Sequence, residues 1–481
     1  MAPAIERTEI DGVPFFWMAD GPRQMANLRF RVGRSDEPFR VTGITHLLEH
    51  LAFHRIGERK FPVNGSVDHV VTEFVSVGRP DENASFMGDI AGALGDIDAE
   101  RLTREARVLR VEDDGRGPNP IREFINLRYG AANLGRSALN EHALHVAGPA
   151  DLRAWSAHWF TAGNAIGWMS HEPPAGMRLT LPAGERQPVI QHQDISPLPL
   201  PSWGPTQMPG AMVGAAMPRS AAAVAMAHIL RDRAEHRLRR DLGISYDVST
   251  VYLKLNRDDA LVMVIASSRD EDAAQAGAEL VGVVERLASE GPTAEELADE
   301  LDGMQRAHAA PMWPLGQLNY AAECELFGST YMTPEELQAE AAALRPNEVQ
   351  ATATWFRDNA AGFSRNTPRL GPPWQAYPVW SAGSVGGRTF DSVRKKYPWT
   401  KGTPSLIVGD AGVSLMMPEG QCITVRYAGL AGMVRFNERR VLIGEDGFRL
   451  NVDPVEWKDG AQAAFAMDRA VPADQQVTWL S

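Results

Sequence analysis

Hydrophobic and polar positions alternate near the start of the chain, at Gly12-Val13-Pro14-Phe15-Phe16-Trp17-Met18 and again at Ala26-Asn27-Leu28-Arg29-Phe30-Arg31-Val32. That period, with aromatic and β-branched residues, predicts a pair of strands. After Gly43 the pattern changes: Ile44, Leu47, Leu48, Leu51, Ala52 and Phe53 crowd a short apolar stretch whose spacing predicts a helix packed on both sides. Further on, Asp151 to Phe160 predicts a helix that turns through Thr161–Asn164 into a short strand at Ala165–Trp168. Thr352 to Phe363 repeats that order, with Trp355-Phe356 standing where Trp159-Phe160 stand. In each copy the aromatic pair is expected to face inward, and the echo predicts two repeated halves.

Two Pro-rich stretches, Ser196–Pro205 and Gly371–Pro378, read as extended linkers. They divide the chain into 1–200, 201–370 and a last piece over 385–481. In that last piece Leu406–Gly409, Gly412–Met416, Cys422–Tyr427, Arg440–Gly444 and Gly447–Val452 are short alternating runs split by Gly, Asp and Asn. They predict a small antiparallel β domain, in the manner of a pleckstrin-homology-like barrel, with a docking role.

Composition narrows the function classes. With 481 residues the chain can bury more than one core. No run of eighteen apolar residues occurs, so no membrane span is expected. The first residues have neither a basic start nor an apolar stretch, and Cys324 and Cys422 are the only cysteines. A cytoplasmic protein without a disulfide framework is the expectation. A net charge of −13 and a pI near 5.5 argue against nucleic acid as the main partner.

The chemistry concentrates at His46-Leu47-Leu48-Glu49-His50. On a helix, His46 and His50 leave the same face and Glu49 sits at its edge. Ionisable groups among apolar neighbours need compensation, and a divalent cation supplies it. Zinc takes neutral imidazoles and carboxylates and leaves a position for water. His54 continues the row and is a rival ligand.

This is the inverted H-x-x-E-H motif, in which Glu49 is the base. With the strand pair before it and Gly33-Arg34-Ser35-Asp36-Glu37 between, the segment resembles the pitrilysin-like (M16) metallopeptidase family. The resemblance runs from about residue 8 to about residue 365. It implies an α+β fold: two halves, each a mainly antiparallel sheet with helices on one side, followed here by the β domain that lies outside it.

The resemblance also implies a third zinc ligand, a Glu on a later helix two turns after another acidic residue. Glu105-Ala106-Arg107-Val108-Leu109-Arg110-Val111-Glu112 fits, with Glu112 as the ligand, Glu105 as a carboxylate supporting a histidine, and Val108, Leu109 and Val111 free to pack. The family usually has a longer run between the second His and this Glu. In the second half, Leu238-Arg239-Arg240-Asp241-Leu242-Gly243-Ile244-Ser245-Tyr246 resembles the family's Arg-and-Tyr segment. There Tyr246 would begin a strand and donate to the developing oxyanion, and Arg239 would position the substrate. The substrate-binding edge strand, which in the family carries Asn-Ala-x-Thr, aligns with Thr72-Glu73-Phe74-Val75-Ser76 and lacks that side-chain clamp. Asn140-Glu141-His142-Ala143-Leu144-His145 falls at an ordinary loop-to-helix entry, not at a second metal cluster.

The resulting expectation is a zinc-dependent endopeptidase acting on short or unfolded peptides, with leader removal during peptide maturation as an extension. It would work as a homodimer or as a heterodimer with a related subunit. The alternative is an inactive binding or scaffold subunit, with the third ligand spoiled by the shortened spacing.

Overall fold

The computed structural model describes residues 4–19, 21, 23–115, 117–189, 198–393 and 402–479. In the first half the strands are β1 (Ile5–Ile10), β2 (Val13–Met18), β3 (Met25–Phe30), β4 (Val63–Val67), β5 (Thr72–Val77) and β6 (Ala165–Met169). They form one sheet in the order β1-β2-β6-β3-β5-β4, antiparallel except for β2 with β6. Its helices are α1 (Ile44–Ile56), α2 (Pro80–Gly95), α3 (Leu102–Gly115), α4 (Pro120–Tyr129), α5 (Ala143–Val146) and α6 (Pro149–Trp159). Phe15, Leu28, Phe30 and Phe74 of the sheet close one core with Leu47, Leu48 and Leu51 of α1 and Phe86 and Ile90 of α2.

The second half repeats this plan. Its strands are β7 (Ser202–Pro205), β8 (Ala211–Pro218), β9 (Val248–Lys254), β10 (Asp259–Ala266), β11 (Ala361–Ser364) and β12 (Gln375–Ala376). The order β12-β7-β11-β8-β10-β9 matches the first sheet strand for strand from β7 onward. Its helices are α7 (Ala221–Glu235), α8 (Ala273–Glu290), α9 (Ala294–His308), α10 (Trp313–Phe327), α11 (Pro334–Ala343) and α12 (Pro346–Asn359). Each half also lends one helix to the other. Phe124 and Ile125 of α4 pack with Met212, Leu261, Met263 and Phe363 of the second sheet. Leu315, Leu318 and Ala322 of α10 pack with Phe16, Ile166 and Trp168 of the first. Each sheet is thus covered on the face its own helices leave open, which ties the halves into one body.

Several expectations are corrected here. Neither Pro-rich stretch is a free linker. Ser202–Pro205 is β7, and Gln375–Ala376 adds as a parallel edge strand beside it. Trp374 is buried against Trp203, because this extended chain completes the core rather than crossing solvent. Ser196 and Pro197 lie outside the described residues. Of the second aromatic pair, Phe356 is buried but Trp355 stays exposed, since only one side of α12 meets the sheet.

The last piece holds two four-stranded sheets. One is β13 (Arg388–Asp391), β14 (Ser405–Gly409), β15 (Gly412–Met416) and β16 (Cys422–Arg426). The other comprises β17 (Leu430–Phe436), β18 (Arg439–Gly444), β19 (Arg449–Val452) and β20 (Gln476–Trp479), in the order β19-β18-β17-β20. It is not wholly antiparallel. Helix α13 (Gly460–Ala470) crosses over, so β20 returns parallel to β17. Cys324 and Cys422 are both buried and free. Among the described residues no helix is long and apolar enough to cross a membrane.

Candidate metal centre

Helix α1 begins at Gly43, whose φ of +86° suits a residue without a Cβ. Its first free backbone N–H groups, from Gly43 and Thr45, donate to the Glu37 carboxylate at 2.6 and 2.9 Å. Ile44 through Glu49 are all buried, as are Leu51 and Ala52, so the helix is enclosed on both sides as its composition predicts. This enclosure is what makes its polar residues unusual.

His46 Nε2 lies 3.8 Å from Glu49 Oε2, and His50 Nε2 lies 3.9 Å from the same oxygen. Glu112 brings its Oε2 to 3.7 Å from His50 Nε2. Ligands on a tetrahedral zinc at about 2.0–2.2 Å stand roughly 3.3–3.6 Å apart, so the spacing of His50 and Glu112 is close to what a cation would draw together. Among the described residues, His46, Glu49 and His50 are the set whose donor atoms all fall within 4.8 Å of one another. Glu112 stands at the rim with its side chain 44% exposed. Leu109, between Glu105 and Glu112, is fully buried and holds α3 against the core. Val108 and Val111, expected to pack, remain exposed because they face away from it.

The other nitrogen of each imidazole is held as well. His46 Nδ1 lies 3.1 Å from Glu141 Oε2, and Glu141 is in turn bound by Arg34 at 2.5 Å. An ionised carboxylate only accepts, so Nδ1 carries the proton and the lone pair of Nε2 faces the cluster. His50 Nδ1 faces Glu105 Oε2 at 4.0 Å, an ion-pair distance. The donor set of two imidazoles and the Glu112 carboxylate fits zinc.

Burial raises the Glu49 carboxyl from its ordinary range to about 7, with the nearby charges of Glu112 and Glu141 adding to it and His46 opposing. Burial also lowers the pKa of His50, so its ring stays neutral at physiological pH. A carboxyl that exchanges its proton near neutrality beside the neutral His50 ring suits a general base.

Glu141 was missed as a partner of this site. Its signal was an acidic residue amid Ala138, Leu139, Ala143 and Leu144, but nothing local points it at a helix far back in the chain. The neighbouring histidines go elsewhere: His142 Nδ1 donates to the Phe39 carbonyl at 2.8 Å, and His145 stacks on Trp479.

The edge strand is also corrected. Thr72–Val77 is β5, an inner strand paired on both sides. The free edge beside α1 is β4, with Asn64-Gly65-Ser66 at its centre. Hydrophobic alternation marks both strands alike, and only the sheet order distinguishes them. A Cβ on Gly65 would stand 2.3 Å from Glu49 Oε1, so this backbone closes directly over the carboxylate. A cleft of about 770 Å³ opens there, lined by Glu49, His50, Phe53, His54, Val63 and Gly65.

Arg239 and Tyr246 are elsewhere. Arg239 lies on a π-helical turn (His236–Asp241) that extends α7, and Tyr246 on a bend before β9 rather than within it. Gly243, with φ +64°, makes the turn between them. Tyr246 is 84% exposed, with the Arg239 guanidinium 5.8 Å from its ring centre. Arg239 pairs with Glu235 at 3.4 Å, and among the described residues no hydrogen bond or ion pair joins either side chain to the histidine cluster.

No protein-family model and no curated protein matches this sequence. Solved structures do. A peptidase M16 inactive domain from Pseudomonas fluorescens matches with a TM-score of 0.62 at 16% identity, over 76% of this chain and 98% of its own. The periplasmic protease PqqL from Escherichia coli matches at 0.60 and 14% identity, over 89% of this chain and 56% of its own. Pitrilysin matches at 0.56 and 15% identity, over 77% of this chain and 46% of its own. The chain has the fold of the M16 peptidases, as the resemblance of its motif implied.

Proposed function

From a chain with the M16 peptidase fold and a histidine–carboxylate cluster enclosed in its first half, we propose a zinc-dependent endopeptidase that cleaves short or unfolded peptides. The observation that carries this reading is the convergence of donor atoms of His46, His50 and Glu49 within 4.8 Å, with His46 turned by Glu141. His46, His50 and Glu112 would hold the ion, and Glu105 would support His50. Bound zinc would supply an acidified water and polarise the substrate carbonyl. Glu49 would accept the proton of the attacking water and return it to the leaving amine. The peptide would pair its backbone with the free edge of β4, which sets its carbonyl over Glu49.

Arg239 and Tyr246 would act on a peptide held by a second subunit, since both face solvent here. A homodimer, or a heterodimer with a related chain, supplies that arrangement. A cytoplasmic location and a role in leader removal are further parts of the proposal. The competing reading is a binding or scaffold subunit, favoured by the exposed rim position of Glu112 and by a structural neighbour described as an inactive domain.

Zinc content and digestion of a peptide library separate the two. The endopeptidase predicts about one zinc per chain in the purified protein, loss of most of it in Glu112→Ala, and retained zinc without cleavage in Glu49→Gln. Full zinc retention by Glu112→Ala would remove that residue from the ligand set. A wild-type protein without zinc or cleavage would leave the scaffold reading.

A further inference from the structure

The C-terminal domain lies outside the resemblance, yet it is fastened to the one segment that steers His46. We propose that this domain is a working part of the metal site: it clamps residues 130–146 so that Glu141 meets the His46 ring, and thereby sets the affinity for zinc. The inference rests on the zinc reading above and extends it to a domain that supplies none of the proposed ligands.

The clamp has two sides. On the α1 side, Thr42 Oγ1 donates to the Asn140 carbonyl at 2.6 Å, and Ala143 N donates to the Thr42 carbonyl at 2.8 Å. A Cβ on Gly43 would meet Glu141 Cβ at 2.5 Å, so the segment lies directly on the helix start. On the other side stands the second sheet of the C-terminal domain. Val434, Ile443 and Val477 form one buried cluster with Phe39, Ala131 and Leu139. A Cβ on Gly432 of β17 would be 2.2 Å from the Phe39 ring, whose centre is 4.5 Å from that of His142. Trp479 of β20 stacks on His145 at 4.9 Å with the planes 10° apart. Ala131 N donates to the Glu445 carbonyl at 3.1 Å, and Arg449 donates to Asn126 Oδ1 at 2.5 Å.

Glu141 is therefore gripped between α1 and β17–β20, with Phe39, His142 and His145 transmitting the contact. Its own chain gives it little regular structure: a short 3-10 stretch (Asn133–Ala138) precedes it and the single-turn α5 follows. Removing the support of a ligating histidine typically lowers metal affinity about 10–100-fold. Glu141 is a positioning residue in this scheme, as are Gly432 and Trp479 at one further remove.

The test measures zinc affinity by chelator competition in the full chain, with circular dichroism to confirm folding. Glu141→Gln should bind zinc about 10–100-fold more weakly. Gly432→Ala, which must displace Phe39, and Trp479→Ala should each weaken zinc about tenfold, with Trp479→Phe recovering most of it. Phe465→Ala, at an exposed position of α13, should bind as wild type. If Gly432→Ala fails to fold, Trp479→Ala and Trp479→Phe decide the matter. Wild-type affinity in both Gly432→Ala and Trp479→Ala overturns the proposal while leaving the zinc reading intact. A wild-type chain that binds no zinc, like His50→Ala, overturns both.

Discussion

Helices α1 and α7 occupy the same place in the two halves, α1 between β3 and β4 and α7 between the matching strands β8 and β9. They have opposite chemistry. Buried positions of α1 include Thr45, His46 and Glu49, whereas those of α7 are Ala222, Ala223, Ala225, Met226, Ala227, Ile229, Leu230 and Ala234. Their starts differ too. Ser220 caps α7 locally by accepting from Ala223 N. The start of α1 depends on Glu37, reached through the long connection from β3, which also carries Arg34 and Asp36. One fold has thus been used once for close packing and once for enclosing charge. Enclosing charge took additional chain, because each buried ionisable group needs partners. The second half instead places its functional candidates, Arg239 and Tyr246, where solvent or another subunit reaches them.

The largest effect expected from breaking this contrast is at α1. His50→Ala should abolish both zinc binding and cleavage, whereas Ala227→Ser on α7 should leave both near wild type; zinc content and peptide turnover of the pair decide it. Next comes Tyr246→Phe, which should lower kcat by about 10²–10³-fold with zinc unchanged. If the halves cooperate across subunits, mixing Tyr246→Phe with His50→Ala chains should regain a fraction of the activity that neither shows alone.

A smaller loss should follow from Gly65→Ala. The added methyl must displace Glu49, and misplacing a catalytic group by about 1 Å can cost up to 10²-fold in rate. An unchanged rate would mean that Glu49 is not held by this backbone.

In stability terms, Glu49 titrates near 7 in the metal-free protein but near 4.5 ordinarily. Between those values the folded chain holds a proton that the unfolded chain has released, so stability falls as pH rises through the window. The loss amounts to at most about 3 kcal/mol above pH 7. Glu49→Gln should remove that slope, with the variant melting higher than wild type at about pH 8 and alike near pH 4.5. Parallel melting curves at all pH values would contradict the burial of that charge. Least of all, Ser220→Ala should cost about 1 kcal/mol in thermal unfolding and leave zinc untouched, as suits a local cap.

Some of this was legible before any fold was known. His46, Glu49 and His50 are separated by helical spacing, so local geometry alone brings them together. Glu105 and Glu112 follow the same rule on α3. The aromatic repeat announced two halves of like design. Other features carried no local mark. Alternation could not tell the inner strand β5 from the edge strand β4. Extended Pro-rich segments look like linkers whether or not a sheet edge takes them up. Helix α13 and the parallel return of β20 were hidden by the strands on either side.

What the chain by itself determined is therefore everything set by the period of a helix or strand: the paired imidazoles, the carboxylate between them, and the doubled architecture. Only the tertiary structure decided what those groups meet. It placed Glu141 on His46 across 95 residues, closed Gly65 over Glu49, and set the C-terminal domain against the segment that carries Glu141. The physical reason is that hydrogen bonding and burial depend on distance in space, whereas a sequence records separation along the backbone alone.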